Sequence, residues 1–253
     1  MTGATSGIGE AFVHWYVESA SEIVLVGRNK SELDRVAHAV RSRGVHAEVI
    51  VADLSHKDGV ESVGAQCGAV DVLVMNAGVT HAAKIGTSDR DQLDELAYLM
   101  SAGIVRLSEI VVPHMVERGG GDVVIVSSIA TFTPMRKAGP YAAAKTYATS
   151  YARSLALEVN SRGVRVVAVC PGYVRTDLHR RAGLDHLLRS VPSWLWLTPD
   201  DVVRATMRAL ERGKTVVVPG LVYRIALPLL ASSTAQQLWR RITRRSSSAS
   251  SES

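Results

Sequence analysis

Short apolar runs alternate with longer amphipathic stretches through the first 220 residues of the chain. The runs that we predict as strands are Ile23–Val26, Ala47–Val51, Val72–Met75, Val123–Ser127, Val164–Val169 and Thr215–Val218. Most of them are almost unbroken in apolar character, which is typical of parallel strands covered on both faces. The stretches that we predict as helices are Gly9–Ala20, Ser31–Ser42, Lys57–Cys67, Asp89–Glu117, Tyr141–Ser161 and Pro199–Arg212. This alternation predicts an α/β fold with a doubly wound parallel sheet.

A glycine-rich turn at the start of the chain leads directly into the first predicted helix. Gly3, Gly7 and Gly9 stand at spacings of four and two residues, which let a backbone turn tightly and approach a phosphate group. The helix N-terminus behind them offers N–H groups and a positive dipole end. The alternative is a flexible terminus that is merely rich in glycine, and the pattern alone leaves both interpretations open.

Doubly wound folds place a strand before such a turn, but in this sequence only Met1 precedes the turn. The turn starts at Thr2, so we expect the sheet to lack most of its first strand. Without that strand, its two neighbours would keep buried N–H and C=O groups with no partner. We therefore expect the natural protein to begin upstream of Met1.

The net charge of +5 is concentrated near the C-terminus. From Leu221 onward the chain has one acid, Glu252, and five arginines, which are Arg224, Arg240, Arg241, Arg244 and Arg245. This segment has a charge of +4, which leaves only +1 for the first 220 residues. A nearly neutral body with a basic tail argues against a nucleic-acid-binding domain.

Cysteine and histidine usage argues against a disulfide framework and against a metal site. The chain has two cysteines, Cys67 and Cys170, and its eight histidines show no ligand spacing. No apolar run reaches the roughly 18 residues of a membrane span, and the N-terminus does not resemble a secretory signal. These features together predict a cytoplasmic protein.

Tyr141 and Lys145 stand four residues apart, on one face of a predicted helix. A phenol with a pKa near 10 is a poor acid–base catalyst at neutral pH, but an ammonium about 4 Å away would bring that pKa toward about 7. Ser128 follows a predicted strand, at the carboxyl edge of the sheet where such folds bind ligands. The alternative for Ser128 is an ordinary serine at a strand end.

Five motifs of this sequence occur together and in a fixed order. They are Thr2–Gly9, Asn76-Ala77-Gly78, Ser128, Tyr141-Ala-Ala-Ala-Lys145 and Pro171-Gly172-Tyr173-Val174-Arg175-Thr176. In order and spacing the chain resembles the short-chain dehydrogenase/reductase family over residues 2–220. The resemblance implies a Rossmann fold and an oxidoreductase that uses a nicotinamide dinucleotide.

The resemblance also implies roles for individual residues. Tyr141 would be the proton donor or acceptor, Lys145 would lower its pKa and hold the nicotinamide ribose, and Ser128 would bind the substrate oxygen. The residues implied to bind the dinucleotide are Gly3, Ser6, Gly7, Ile8 and Gly9 at the pyrophosphate, Asp53 and Leu54 at the adenine, Asn76, Ala77 and Gly78 along the cleft, and Val174 and Thr176 at the carboxamide.

The residues after the strand Ile23–Val26 predict which dinucleotide is preferred. An acid there would bind the ribose hydroxyls of NAD, but Gly27 and Arg28 occupy the place. Arg28 supplies a cation for a 2′-phosphate, so we predict NADP(H) in preference to NAD(H). Ser6 stands where the family often has a second basic residue, so a moderate preference is expected.

One position departs from the family's pattern. The family usually has an asparagine thirteen residues before the proline of this helix, where it supports a proton-relay water. Counting back from Pro113 gives Met100, with Ser101 beside it. A thioether does not replace an amide's donor and acceptor, and Ser101 points elsewhere around the helix.

Two functions stay open: an oxidoreductase that interconverts a ketone or aldehyde with an alcohol, or a cofactor-binding or regulatory protein without turnover. The intact Ser128, Tyr141 and Lys145 set favours the enzyme.

Three regions are expected: a catalytic domain at residues 1–220, an amphipathic basic extension at 221–245 and a disordered serine-rich tail at 246–253. The variable lid, Asp177–Leu197, ends in Trp194, Leu195 and Trp196, which indicates a bulky apolar substrate or, alternatively, packing of the lid on the body.

The extension could contact an anionic membrane surface, dock on the body or cross a subunit interface. The surplus of apolar positions on the two longest predicted helices predicts a homodimer or homotetramer.

Overall fold

The structure, a computed structural model, describes residues 1–67, 70–80, 85–133, 138–176 and 191–232. The serine-rich tail and the lid residues 177–190 lie outside these ranges. The described strands are β1 (Glu22–Gly27), β2 (His46–Val51), β3 (Val72–Met75), β4 (Gly121–Val126), β5 (Val164–Val169) and β6 (Val216–Val217). The described α-helices are α1 (Gly7–Tyr16), α2 (Lys30–Arg41), α3 (Lys57–Gln66), α4 (Arg90–Met100), α5 (Ala102–Glu117), α6 (Gly139–Val159), α7 (Pro199–Glu211) and α8 (Leu221–Ala231).

The strands form a parallel sheet in two parts, which confirms the predicted fold class. One part is the pair β1–β2, and the other has the order β3-β4-β5-β6. Thr2 lies between the two parts and bridges to Val26 in β1 and to Met75 in β3. The Thr2 N–H donates to the Val74 carbonyl, and the Val26 N–H donates to the Met1 carbonyl, both at 2.9 Å. Met1 and Thr2 thus lie between β1 and β3 and are bonded to both.

Helices cover both faces of the sheet, which explains the unbroken apolar runs. Along β4, Val123 and Ile125 face a cluster that includes residues of α3, α5 and α6. Val124 and Val126 face the other cluster, together with Phe12 of α1 and residues of α7. Because successive strand residues point to opposite faces, both sets must be apolar.

The stretch predicted as one helix, Asp89–Glu117, is divided in two. Helix α4 ends at Met100 and α5 begins at Ala102, because Ser101 leaves the helical region with φ −135° and ψ −86°. The Ser101 hydroxyl donates to the carbonyl of Ala97 on its own helix. The combined stretch Arg90–Glu117 is long and apolar enough to cross a membrane by length and composition alone. Its residues Leu96 and Val111 are nonetheless buried in the body of the protein, as in a core helix.

The extension after residue 220 begins with α8, an apolar helix with one buried side. Tyr223 is buried and packs with Leu227 against Cys170 and Val218. Leu221 and Ile225 are exposed on the outer side of the helix. The buried side attaches α8 to the carboxyl ends of β5 and β6, which is the edge where the candidate site lies.

Candidate active site

The glycine turn is held in place by a polar contact between the two parts of the sheet. The Thr2 hydroxyl accepts hydrogen bonds from the N–H groups of Asn76 and Ala77, each at 3.0 Å. The Asn76 amide in turn donates to the carbonyl of Gly3 at 3.0 Å and to that of Thr2 at 3.3 Å. The start of the motif Asn76-Ala77-Gly78, just after β3, therefore holds the turn in place through these hydrogen bonds.

Two glycines of this turn are required by backbone geometry and space. Gly7 has φ +57°, a conformation that side chains disfavour, and an added Cβ would lie 2.7 Å from the Thr176 methyl group. At Gly9 an added Cβ would lie 2.0 Å from the Gly3 carbonyl oxygen. The close approach keeps the α1 N-terminus next to the turn. Ser6, at the N-cap of α1, makes no side-chain capping hydrogen bond, so its side chain does not block the first N–H groups.

Ser128, Tyr141 and Lys145 come from adjacent elements. Ser128 follows β4 and caps a short 3-10 turn, where its hydroxyl accepts from the Ala130 N–H at 3.2 Å. Tyr141 and Lys145 lie one turn apart on α6. The Lys145 ammonium is buried and donates to the Val126 carbonyl at 2.8 Å. This bond anchors the lysine to the end of β4, next to Ser128.

Burial shifts the pKa values of the tyrosine and the lysine in opposite directions. Burial raises the pKa of the Tyr141 phenol, and hydrogen bonding to Ser128 opposes the shift only in part. Burial lowers the pKa of Lys145 from 10.5 to about 8. The lysine Nζ lies 5.8 Å from the centre of the Tyr141 ring. Burial therefore holds the pKa of the Tyr141 phenol above its ordinary value, and not near neutrality as the spacing suggested.

Met100 lies inside the site and packs against apolar side chains. It is fully buried in a cluster with Leu96 and Ala144, and Tyr141 packs against that cluster. Its sulfur is 3.4 Å from where a Cβ on Gly78 would stand. Ser101 does not replace the asparagine, because its hydroxyl is bonded to Ala97. The structure therefore has the apolar Met100 at the position where the family usually has an asparagine, as the sequence indicated.

A cavity of about 450 Å³ joins the glycine turn to the three polar side chains. The predicted residues that line it are Gly3, Ser6, Gly7, Ile8, Asn76, Ala77, Gly78, Ser128, Tyr141, Lys145, Val174 and Thr176. The cavity extends from the N-terminus of α1 to Tyr141, and the glycines leave room beside the turn. Such a shape suits an elongated anionic dinucleotide. The residues fit such a cofactor: the glycine turn would hold its phosphates, and Tyr141 would face its reactive end.

The other predicted cofactor residues, Gly9, Arg28, Asp53 and Leu54, do not line this cavity. Leu54 is buried in the core with Val26 and Ile50. Arg28 is 64% exposed and lies 3.8 Å from the Asp53 carboxylate. Burial alone would raise the pKa of Asp53, but hydrogen bonds from Ser55 and the charge of Arg28 lower it, so the carboxylate stays ionised. Arg28 and Asp53 thus form an exposed ion pair beyond the glycine turn.

The tryptophans of the lid do not form the cavity wall. Trp196 lies against Tyr173, with ring centres 5.5 Å apart, and its indole N–H donates to the Val191 carbonyl. Trp194 is 65% exposed. The packing alternative holds for Trp196, and the tryptophans no longer support a bulky apolar substrate.

Sequence reasoning missed several residues that shape the site. Tyr173 and Tyr223 line the cavity, although Tyr223 lies in the C-terminal extension. Arg35 of α2 donates to the Thr5 carbonyl at 3.2 Å and pairs with Glu10, so it braces the glycine turn from outside. No sequence signal placed Tyr223 here, since its spacing from the motifs is set only by the folded chain.

Comparisons with known proteins agree with this geometry. A family model described as "short chain dehydrogenase" matches residues 1–186. "Dehydrogenase/reductase SDR family member 4" of Oryctolagus cuniculus is 30% identical over 185 residues, which is 71% of each chain.

Solved structures show the same fold. A short-chain dehydrogenase from Sphingobium yanoikuyae in complex with NADPH has a TM-score of 0.81 and 26% identity, covering 100% of this chain and 94% of that chain. A short-chain dehydrogenase from Streptomyces avermitilis has a TM-score of 0.78 and 28% identity, covering 96% of this chain and 95% of that chain. A family match over 186 of 253 residues, with the same fold in solved relatives, establishes that this chain belongs to the short-chain dehydrogenase/reductase family of oxidoreductases.

Proposed function

We propose that the protein is an NADP(H)-dependent oxidoreductase that interconverts a ketone or aldehyde and an alcohol. The observation that carries the proposal is that Ser128, Tyr141 and Lys145 line the same cavity as the glycine turn. Groups suited to hold a dinucleotide and groups suited to exchange a proton therefore face one space. The NADPH in the similar Sphingobium yanoikuyae structure supports this choice of cofactor.

In this proposal, Ser128 and Tyr141 act on the substrate oxygen. A nicotinamide held in the cavity supplies or accepts a hydride at the substrate carbon. Ser128 donates a hydrogen bond to the substrate oxygen and so orients it. Tyr141 gives its phenolic proton to that oxygen during reduction and takes one back during oxidation. The raised pKa of Tyr141 keeps the phenol protonated at neutral pH, which suits reduction.

Lys145 contributes charge and hydrogen bonds. With a pKa of about 8 it is mostly protonated at pH 7. An ammonium has three donors, so the bond to Val126 leaves capacity for ribose hydroxyls. The positive charge also favours the phenolate that Tyr141 becomes after it has given up its proton. Above pH 8 the lysine loses that charge, and this support declines.

The preference for NADP(H) rests on Arg28. Its exposed guanidinium lies beyond the glycine turn, where a 2′-phosphate would be accessible to it. The ionised Asp53 carboxylate 3.8 Å away competes for the same cation, so the preference is moderate.

The proposed substrate is apolar around its carbonyl. This part of the proposal draws on side chains that the sequence reasoning did not assign to the substrate: Met100, Ile129 and Tyr223 line the same cavity as Tyr141. Such a wall favours a substrate whose polarity is confined to the reacting oxygen.

A second candidate is a cofactor-binding or regulatory protein without efficient turnover. The observation that favours it is Met100, which puts an apolar thioether where the family's relay amide usually stands. The two candidates share cofactor binding and differ in catalysis, so the Tyr141 and Met100 variants below distinguish them.

A homodimer or homotetramer is part of the proposal. Helix α6 exposes Leu157 at 88% and Tyr147 at 47%, and large apolar side chains on one outer side of a helix suit a subunit interface. A cytoplasmic location, and a contact of residues 221–245 with an anionic membrane surface, stay predictions from sequence.

Tyr141→Phe should lower kcat by about 10²- to 10⁴-fold, because general acid–base catalysis contributes about that factor. The Kd of NADPH should change less than about twofold, since only the hydroxyl is removed. NADPH absorbance with a panel of ketones, aldehydes and 3-oxoacyl thioesters measures the rate. Tyr147→Phe, an exposed tyrosine on the same helix, is the matched control and should keep the native rate. A near-native rate in Tyr141→Phe would show that the proton donor is misassigned.

Met100→Asn should leave kcat at pH 7 unchanged or higher, because it restores an amide at the relay position. It should also lower the free energy of unfolding by about 1–3 kcal/mol, since the amide enters an apolar cluster. Steady-state rates and thermal unfolding measure the two effects, with Met100→Leu as the apolar control. A large fall in kcat with an intact fold would mean that the methionine itself is part of the site's function.

Arg28→Ala should weaken NADPH binding by about tenfold, because a charge-assisted hydrogen bond is lost, and should change NADH binding by less than about twofold. Calorimetric titration of both dinucleotides measures this. Arg43→Ala is the control, because Arg43 pairs with Glu18 on the surface and lines no part of the cavity. Equal affinity of the native protein for NADPH and NADH would contradict the preference.

Sedimentation velocity should show a dimer or tetramer. Leu157→Glu should shift the protein toward the monomer, because a charge replaces an exposed apolar contact. Glu18→Lys, on the opposite layer, tests whether any change of surface charge has the same effect. A native protein that sediments as a monomer at all concentrations would refute the interface.

A further inference from the structure

Tyr223 of α8 ties together two segments of chain that are distant in sequence. Its hydroxyl accepts a hydrogen bond from the Tyr173 N–H at 3.0 Å and donates one to the Leu195 carbonyl at 2.7 Å. Tyr173 precedes the lid, and Leu195 lies near the C-terminal end of the lid. One side chain of the C-terminal extension therefore contacts the chain just before the lid and again near its end.

The two segments also pair with each other. Val174 and Leu197 form a parallel bridge, the Leu197 N–H donates to the Tyr173 carbonyl at 2.8 Å, and the Arg175 N–H donates to the Leu197 carbonyl at 3.0 Å. These bonds align residues 173–175 with residues 195–197. Val174 lines the cavity, so its position depends on this pairing.

The Tyr223 ring fills space that only a glycine at position 172 leaves open. A Cβ added to Gly172 would lie 2.0 Å from the Tyr223 Cζ atom. Such a distance is far shorter than any real carbon–carbon contact, so the ring lies directly on the backbone that leads to Val174 and Thr176. Tyr223 itself is one of the residues that line the cavity.

We propose that Tyr223 is a positioning residue of the active site: through Tyr173, Gly172 and Leu195 it fixes the backbone of residues 172–176 against the reactive end of the dinucleotide. The inference rests on the proposed NADP(H) function. It assigns the extension a role in the site, although the family model ends at residue 186.

A role as proton donor does not fit Tyr223. Its hydroxyl proton is committed to the Leu195 carbonyl, and its oxygen accepts from Tyr173. Burial raises its pKa, and the hydrogen bond with Tyr173 opposes that shift in part, so the phenol stays protonated at neutral pH. The side chain therefore acts through the backbone that it holds.

Two probes separate positioning from general stability. NADPH would reach both ends of the cavity, whereas adenosine 2′,5′-bisphosphate lacks the nicotinamide end. Tyr223→Phe keeps the ring but removes the hydrogen bonds to the Tyr173 N–H and the Leu195 carbonyl. We expect it to raise the Kd of NADPH about fivefold or more, since one lost hydrogen bond is worth about that factor. The Kd of adenosine 2′,5′-bisphosphate should stay within about twofold, as measured by calorimetric titration.

Two further variants sharpen the test. Tyr16→Phe removes another largely buried tyrosine hydroxyl, which contacts the Met207 sulfur at 3.6 Å and lies outside the cavity lining, and it should change neither Kd. Gly172→Ala should reproduce the selective loss of NADPH affinity, because its methyl group must displace the Tyr223 ring.

The outcomes distinguish this inference from the function on which it rests. If Tyr223→Phe binds both probes like the native protein, or loses affinity for both equally, the positioning role is refuted while the NADP(H) function stands. If the native protein binds neither probe, the proposed function fails and the inference fails with it. Selective loss of NADPH affinity in Tyr223→Phe and Gly172→Ala, and not in Tyr16→Phe, supports the inference.

Discussion

The Thr2 hydroxyl is the contact on which the rest of the site depends. It accepts from the N–H groups of Asn76 and Ala77, while the Thr2 backbone bridges β1 and β3. Adjacent strands lie about 4.8 Å apart, so two strands that flank a third are separated by about 9.6 Å, and direct ladder bonds between them are impossible. A few hydrogen bonds from Met1 and Thr2 span that gap. The same bonds fix the glycine turn. The hydrogen bonds that join the two parts of the sheet therefore also set the shape of the cavity next to the turn.

Burial sets the electrostatics at the other end of the cavity. The apolar surroundings disfavour charge on both Tyr141 and Lys145, which raises the pKa of the acid and lowers that of the base. The ordinary pKa values, 10.0 for the phenol and 10.5 for the ammonium, are nearly equal, whereas here that of Lys145 falls to about 8 and that of Tyr141 rises, so the two values move apart. The protein holds a neutral phenol beside a cation that is close to its own titration at physiological pH. Met100 adds to these apolar surroundings, because Tyr141 packs against the cluster that contains it.

The sequence predicted the layers of the fold and the main chemical groups, because periodicity and motif spacing are local. The three predicted residues Ser128, Tyr141 and Lys145 line one cavity in the structure. The direction of the Tyr141 pKa shift did not follow from the sequence, because it depends on how deeply the phenol is buried, which spacing does not reveal. The break at Ser101 was hidden for a similar reason, since both halves of the stretch continue the apolar pattern.

Tyr141 and Lys145 line the cavity from one helix, and Tyr223 lines it from another. Tyr141 and Lys145 are fixed on one long helix, and Lys145 is bonded to the end of a central strand. The wall at Tyr223 belongs to α8, which meets the site through two hydrogen bonds and one glycine contact. Substitutions in α8 therefore act on the cavity wall and on the backbone of residues 172–176, while Tyr141 and Lys145 stay fixed by α6 and β4. The C-terminal helix thus adjusts the space around a bound molecule from one side only, independently of the helix that holds the tyrosine and the lysine.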